Sequence, residues 1–172
     1  MSDEDNASIP TAAPRDRIID TRAGFQAAVR EALAEAAARG SRELWLSDID
    51  FADWPLGERE VVATFERWAA SSRRLTLVAN HFDTLAREHP RWVTWRRQWS
   101  HIVSCRTNTE IASSEIPTAL VALGTVTVRL SDPTHHRGRI ARDRGEELRC
   151  KELIDAVLQR SEEAFPATST GL

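Results

Sequence analysis

A chain of 172 residues with 41% apolar and 28% charged side chains can build one domain with a genuine hydrophobic core and is too short for two of ordinary size. Its net charge of -3 argues against a general polyanion binder, because non-specific nucleic-acid affinity rests on a surplus of Lys and Arg, so nucleic acid is not an expected partner. Two cysteines, Cys105 and Cys150, without CxxC spacing, signal neither a disulfide framework nor a zinc knuckle.

Residues 1–19 mix Ser, Asp, Ala, Pro and Thr without periodicity and read as a disordered tail. They show no basic start followed by an apolar run, and no later stretch approaches about 18 continuous apolar residues, which predicts a cytoplasmic protein. Among the basic residues only Lys151 is a lysine, a bias that suits the coding of a GC-rich bacterial genome.

From Thr21, the residues Phe25, Val29 and Leu33 recur at four-residue spacing and Gly40 follows as a stop, predicting a helix packed by one face. Residues 43–47 suit a buried strand, and 48–57 a loop. Val61, Phe65 and Trp68 share one face of a helix over 58–71, and residues 75–79 give a second strand, parallel to the first. Asn80 can cap a short helix through about residue 88, and Pro90 can open another. A third parallel strand is predicted at 102–105 and a loop at 107–114. Residues 119–123 and 125–130, on either side of Gly124, form a hairpin. Residues 131–145 read as a polar, Arg-rich loop, 146–160 as a last helix, and 163–172 as a C-terminal tail. The predicted fold is therefore a single α/β domain over 20–162, with a small mixed sheet of three parallel strands plus a hairpin and helices on both faces.

Asp48-Ile49-Asp50 directly follows the first strand, where ligands gather in open α/β sheets, and two carboxylates there could hold Mg²⁺. The tripeptide resembles the first motif of the haloacid dehalogenase phosphohydrolases, which implies Asp48 as nucleophile and Asp50 as general acid. The later acidic pair and a suitably placed Lys are missing, since Lys151 lies in the last helix. Capping of the loop explains the same aspartates. In the helix after Pro90, Trp92, Arg96 and Trp99 interleave aromatic rings with positive charge, as on a base-stacking surface; a Trp stripe at this spacing also suits a core with Arg stems at its edge, or an interface. His135, His136 and Arg137 could grip an anion from their loop. None of the five histidines forms a metal-ligand pattern with its neighbours, so no metal or other cofactor is expected outside the Asp48/Asp50 alternative.

The order of elements resembles one half of a phospholipase D-like fold over about residues 22–160. In that family the first hairpin strand carries a His nucleophile, a phosphate-binding Lys two residues later and an Asp five beyond that, followed by Gly. Here Ile116, Thr118 and Leu123 precede Gly124 at those positions, and a second placement on His135, Arg137 and Asp143 is one residue out of step. The resemblance implies a degenerate relative without phosphodiesterase chemistry. The sequence thus points to a noncatalytic, bacterial protein-interaction or homodimerising domain, docking through the Trp/Arg helix or the Ser-Thr-Gly-Leu end. The alternatives are a Mg²⁺-dependent phosphohydrolase using Asp48 and Asp50, and a single-stranded nucleic-acid binder using Trp92, Arg96 and Trp99.

Overall fold

A computed structural model describes residues 13–167. Its first helix, α1 (Arg22–Arg39), begins where the Thr21 hydroxyl accepts the Gly24 N–H at 2.9 Å and ends at Gly40, whose φ of 67° is the left-handed conformation that glycine adopts without Cβ strain. The buried face of α1 is Phe25, Ala28, Val29, Ala32, Leu33 and Ala36, and its three alanines let the backbone lie close to the sheet.

Three strands, β2 (Glu43–Ser47), β3 (Arg74–Ala79) and β4 (Val103–Thr107), run parallel, with Leu44 opposite Leu75 and Leu75 opposite Val103. The crossovers are α2 (Arg59–Trp68) between the first two, then α3 (Asp83–Glu88) and α4 (Pro90–Gln98). Next come β5 (Thr118–Ala122) and β6 (Val126–Asp132), the hairpin turning at Gly124, and β5 returns antiparallel against β2. This much agrees with the predicted α/β class and its mixed sheet.

Three further strands enlarge the sheet to eight, in the order β1-β7-β6-β5-β2-β3-β4-β8. The supposed loop 131–145 contains β7 (Arg137–Ala141), paired with β6 across a bulge between Leu130 and Asp132. Part of the supposed N-terminal tail is β1 (Arg17–Ile19), which pairs with β7 and inserts Ile19 into the core. Beyond α5 (Arg144–Leu158), β8 (Glu162–Glu163) straddles the predicted start of the C-terminal tail, which also supplies Phe165, stacked on Phe82 with ring centres 5.6 Å apart. β1 and β8 are edge segments too short to show a period, and β7, held between β1 and β6, is polar and Arg-rich; pairing with neighbours, not local pattern, makes all three strands.

Side-chain alternation divides the interior into two layers. Leu44, Leu46, Leu75, Leu77, Leu120 and Ala122 face α1, α2 and α4, whereas Val78, Ala119 and Val121 face Cys150, Ile154 and Val157 of α5. Among the described residues, no helix is long and apolar enough to cross a membrane.

Candidate nucleic-acid interface

The carboxyl ends of the parallel strands, where the sequence placed a metal-binding acid pair, are closed by hydrogen bonds. Asp48 is buried, its Oδ1 accepting the Thr118 hydroxyl at 2.7 Å and its Oδ2 the Phe51 N–H at 2.9 Å. Burial pushes its carboxyl above the usual aspartate range, against the opposing pull of those bonds. Asp50 accepts the Ala52 N–H at 3.0 Å. Beside them Asn80 donates to the Asn108 carbonyl, and Asn108 donates to that of Arg160. Among the described residues, no group of three or more His, Cys, Asp or Glu side chains could hold a metal ion. The acid pair therefore organises a loop, and Asp48, buried with both oxygens taken up by hydroxyl and backbone donors, does not fit the nucleophile of a Mg²⁺ site.

That loop, 48–57, folds inward. Phe51, at a φ of 60°, joins Trp54 and Leu56 in the core. His89 fastens it from α4's N-terminus: Nδ1 accepts the Gly57 N–H at 3.1 Å, so Nε2–H donates to the Phe51 carbonyl at 2.9 Å.

The Trp/Arg helix does not offer a stacking platform. Trp92 and Trp95 are 0% and 2% exposed and pack on Phe65, while Arg96 is 5% exposed. Trp99 is half-buried and stacks on His101. The spacing was legible as a stripe, but α4 turns that stripe toward α2 and the sheet, because three indoles release more free energy inside than beside solvent.

The anion grip expected at His135, His136 and Arg137 is dispersed. His135 donates to Asp132 at 2.8 Å, and His136, at a φ of 53°, donates to Asp53 at 3.1 Å. Arg22 also donates to Asp53, and although partial burial works against ionisation, these two partners hold its carboxyl below the usual range. His136 thus pins the β6–β7 turn to the 48–57 loop. Arg137 is exposed on β7. At the phospholipase D-like positions, Ile116 is core, Thr118 bonds Asp48 and Leu123 precedes the hairpin turn. Asp143 caps α5, accepting the Glu146 N–H at 2.9 Å. Both thiols are buried, and burial pushes Cys150 up to about 12.

A group of cations with few acidic partners lies at the other end of the sheet. A cleft of about 540 Å³ opens between the Gly40–Arg42 segment, the hairpin turn at Gly124 and the first turns of α5, and Arg39, Arg42, Arg144 and Lys151 line it. Its floor is fixed by polar contacts. Arg73 donates to the Gly40 carbonyl at 2.7 Å, Trp68 Nε1–H to the Ser41 carbonyl at 2.6 Å, and the Ser41 and Thr125 hydroxyls bond each other. Gly124, at a φ of 73°, makes the tight turn. Glu147 is the one carboxylate in the lining and is engaged by the Gly124 N–H. Arg39 pairs weakly with Glu35 at 3.7 Å, and among the described residues Arg42, Arg144 and Lys151 make no ion pair. Lys151 holds its ammonium 5.0 Å from the Trp45 ring centre. Sequence reasoning missed the cleft because its cations come from segments about a hundred positions apart; the legible hint was Gly124, which marks the turn that gathers them.

No family model matches this chain, and no curated protein is similar to it. Among solved structures it is similar to TrmBL2, an archaeal chromatin protein whose structure is described as showing a novel mode of DNA binding. The TM-score is 0.63 at 14% identity, over 91% of this chain and 57% of that one. The likeness is one of fold, and the present chain spans a little over half of that protein's length. It nevertheless speaks against the reading of a bacterial protein-interaction or homodimerising domain, because a solved structure with this fold is that of an archaeal chromatin protein. It also overturns the dismissal of nucleic acid as a partner class. Net charge is a sum over the whole surface, and here it conceals a local cationic cleft.

Proposed function

We propose that this chain is a nucleic-acid-binding α/β domain that holds the phosphate backbone of duplex DNA in the cleft of Arg39, Arg42, Arg144 and Lys151. The observation that carries this reading is the convergence of four cations around one engaged carboxylate in a chain of net charge -3. The fold likeness to a DNA-binding chromatin protein supports the same partner class. Burial of Trp92 and Trp95 favours backbone contact over base stacking, hence a duplex over a single strand and little sequence preference. The resemblance to phospholipase D-like half-domains enters this reading as a proposal about fold kinship alone, supported by three parallel strands followed by an antiparallel hairpin.

The test is fluorescence anisotropy of a labelled duplex titrated with the protein at several salt concentrations. With four phosphate contacts, log K should fall against log salt with a slope of about -3 to -4. Arg42→Gln together with Arg144→Gln should flatten the slope by about 2 and weaken binding at least about tenfold at low salt. Absence of binding at low salt, or an unchanged slope in the double variant, overturns the assignment.

A further inference from the structure

The third turn of α4 holds a buried cation that no carboxylate accompanies. Arg96 is 5% exposed and forms no ion pair among the described residues. Its Nε–H points to the Cys105 sulfur at 3.3 Å, its guanidinium carbon lies 5.0 Å from the Phe165 ring centre, and its Nη1 is buried without a hydrogen-bond partner among the described residues. A guanidinium does not shed its proton in a protein, so the charge persists in a place where an unpaired charge is strongly disfavoured. Cys105 is no counterion: burial outweighs the pull of Arg96 and keeps it a neutral thiol. The Phe165 face offers partial compensation only.

Against this cation lies a cleft of about 470 Å³, lined also by Ser100, Val103, Ser104, Ala164 and Pro166. One wall is the segment after α5. It is held by the two residue pairs of β8, an Ala164 N–H donation to the Cys105 carbonyl at 3.0 Å, the Arg106 side chain donating to Ser161 and the stack of Phe165 on Phe82, and it carries Phe165 at a φ of 50°. Nη1 is covered, so a ligand meets it only where this wall moves aside. We propose that the cleft is a binding site for a small monocarboxylate, whose carboxylate pairs with the free guanidinium edge of Arg96 while its aliphatic body lies on Val103, Ala164 and Pro166. Exposed Glu163 at the rim disfavours a second negative charge, so dicarboxylates and phosphate bind less tightly. The site is separate from the basic cleft and stands whether or not that cleft binds nucleic acid.

The experiment follows the arginine side-chain N–H resonances and the binding heat of the full chain titrated with sodium butyrate, with sodium chloride at matched ionic strength as the control. Saturable binding of butyrate that moves one buried arginine resonance is expected. Arg96→Met should weaken it at least tenfold. Ser100→Trp, which sets an indole at the cleft from the exposed turn after α4 and leaves Arg96 in place, should weaken it to the same degree and serves should the first variant fail to fold. Succinate should bind at least tenfold less tightly than butyrate, the gap narrowing in Glu163→Gln. A butyrate response no greater than that of chloride, or native affinity in Ser100→Trp, overturns the proposal.

Discussion

Two single positions test how far backbone and burial, not chemistry, account for this chain's polar residues. Asp48 has a carboxyl whose pKa is raised by burial, so the native state binds its proton more tightly than the unfolded chain does. The corresponding stability is fully present below the ordinary aspartate pKa and is lost as pH climbs through the raised one. Asp48→Asn should abolish that loss. Its amide oxygen can still accept from Phe51 and its NH₂ donate to the Thr118 oxygen, so stability at neutral pH should equal or exceed that of the native chain. Asp48→Ala leaves both partners buried without a bond and should cost about 3 kcal/mol. Denaturant unfolding from pH 3 to 8 separates these outcomes; a less stable Asn variant at pH 7 would show that the charge itself is needed. Gly138 poses the opposite question, of space. A Cβ there would sit 1.9 Å from the Arg129 carbonyl oxygen and 2.7 Å from the Leu130 Cα, both backbone atoms of the paired strand. Gly138→Ala should therefore break the β6–β7 ladder at its bulge and destabilise by at least about 3 kcal/mol, read as a fall in the urea midpoint.

At the scale of elements, legibility followed length and internal period. α1 starts after Thr21 and stops at Gly40 as the sequence suggested, because the signals that bound a helix lie within a few residues of its own ends. The apolar runs of β2 and β3 were equally plain. By contrast β7, Arg-Gly-Arg-Ile-Ala, looks like loop until β6 and β1 pair with it on both edges, and the direction in which α4 turns its indoles is decided by α2, far off in sequence. The charge cleft and the buried Arg96 were illegible for the same reason, since each is assembled from separate elements. The 48–57 loop depends on one such distant partner. Replacing His89 by Leu keeps the bulk but leaves the Gly57 N–H and the Phe51 carbonyl unpaired, at about 2–4 kcal/mol. Hydrogen exchange should quicken first at Gly57 and its neighbours, ahead of β2 and β3; uniform quickening across the sheet would mean that the loop has no separate stability.

For the whole molecule, the question is whether DNA responds to the chain's net charge or to where that charge lies. Arg42 and Arg144 stand at the end of the sheet where the parallel strands begin, whereas Arg87, on α3, and Arg91, at the start of α4, follow the carboxyl end of β3 and lie outside the basic cleft. Both Arg87 and Arg91 are exposed, and Arg87 already neighbours Glu88 at 3.4 Å. Reversing either pair to glutamate changes the net charge by the same amount, so a purely global field would weaken binding equally. Contacts within the cleft remove counterions from phosphates directly, while charges beyond about one Debye length, roughly 10 Å at 0.1 M salt, are largely screened. Arg42→Glu with Arg144→Glu should accordingly lower duplex affinity by about a hundredfold near 0.1 M salt, against less than about threefold for Arg87→Glu with Arg91→Glu, and only the first pair should reduce the salt slope. Equal losses in the two doubles would place the binding in the overall field of the protein and remove the cleft from its role; a larger loss in the second would move the interface to the opposite end of the sheet.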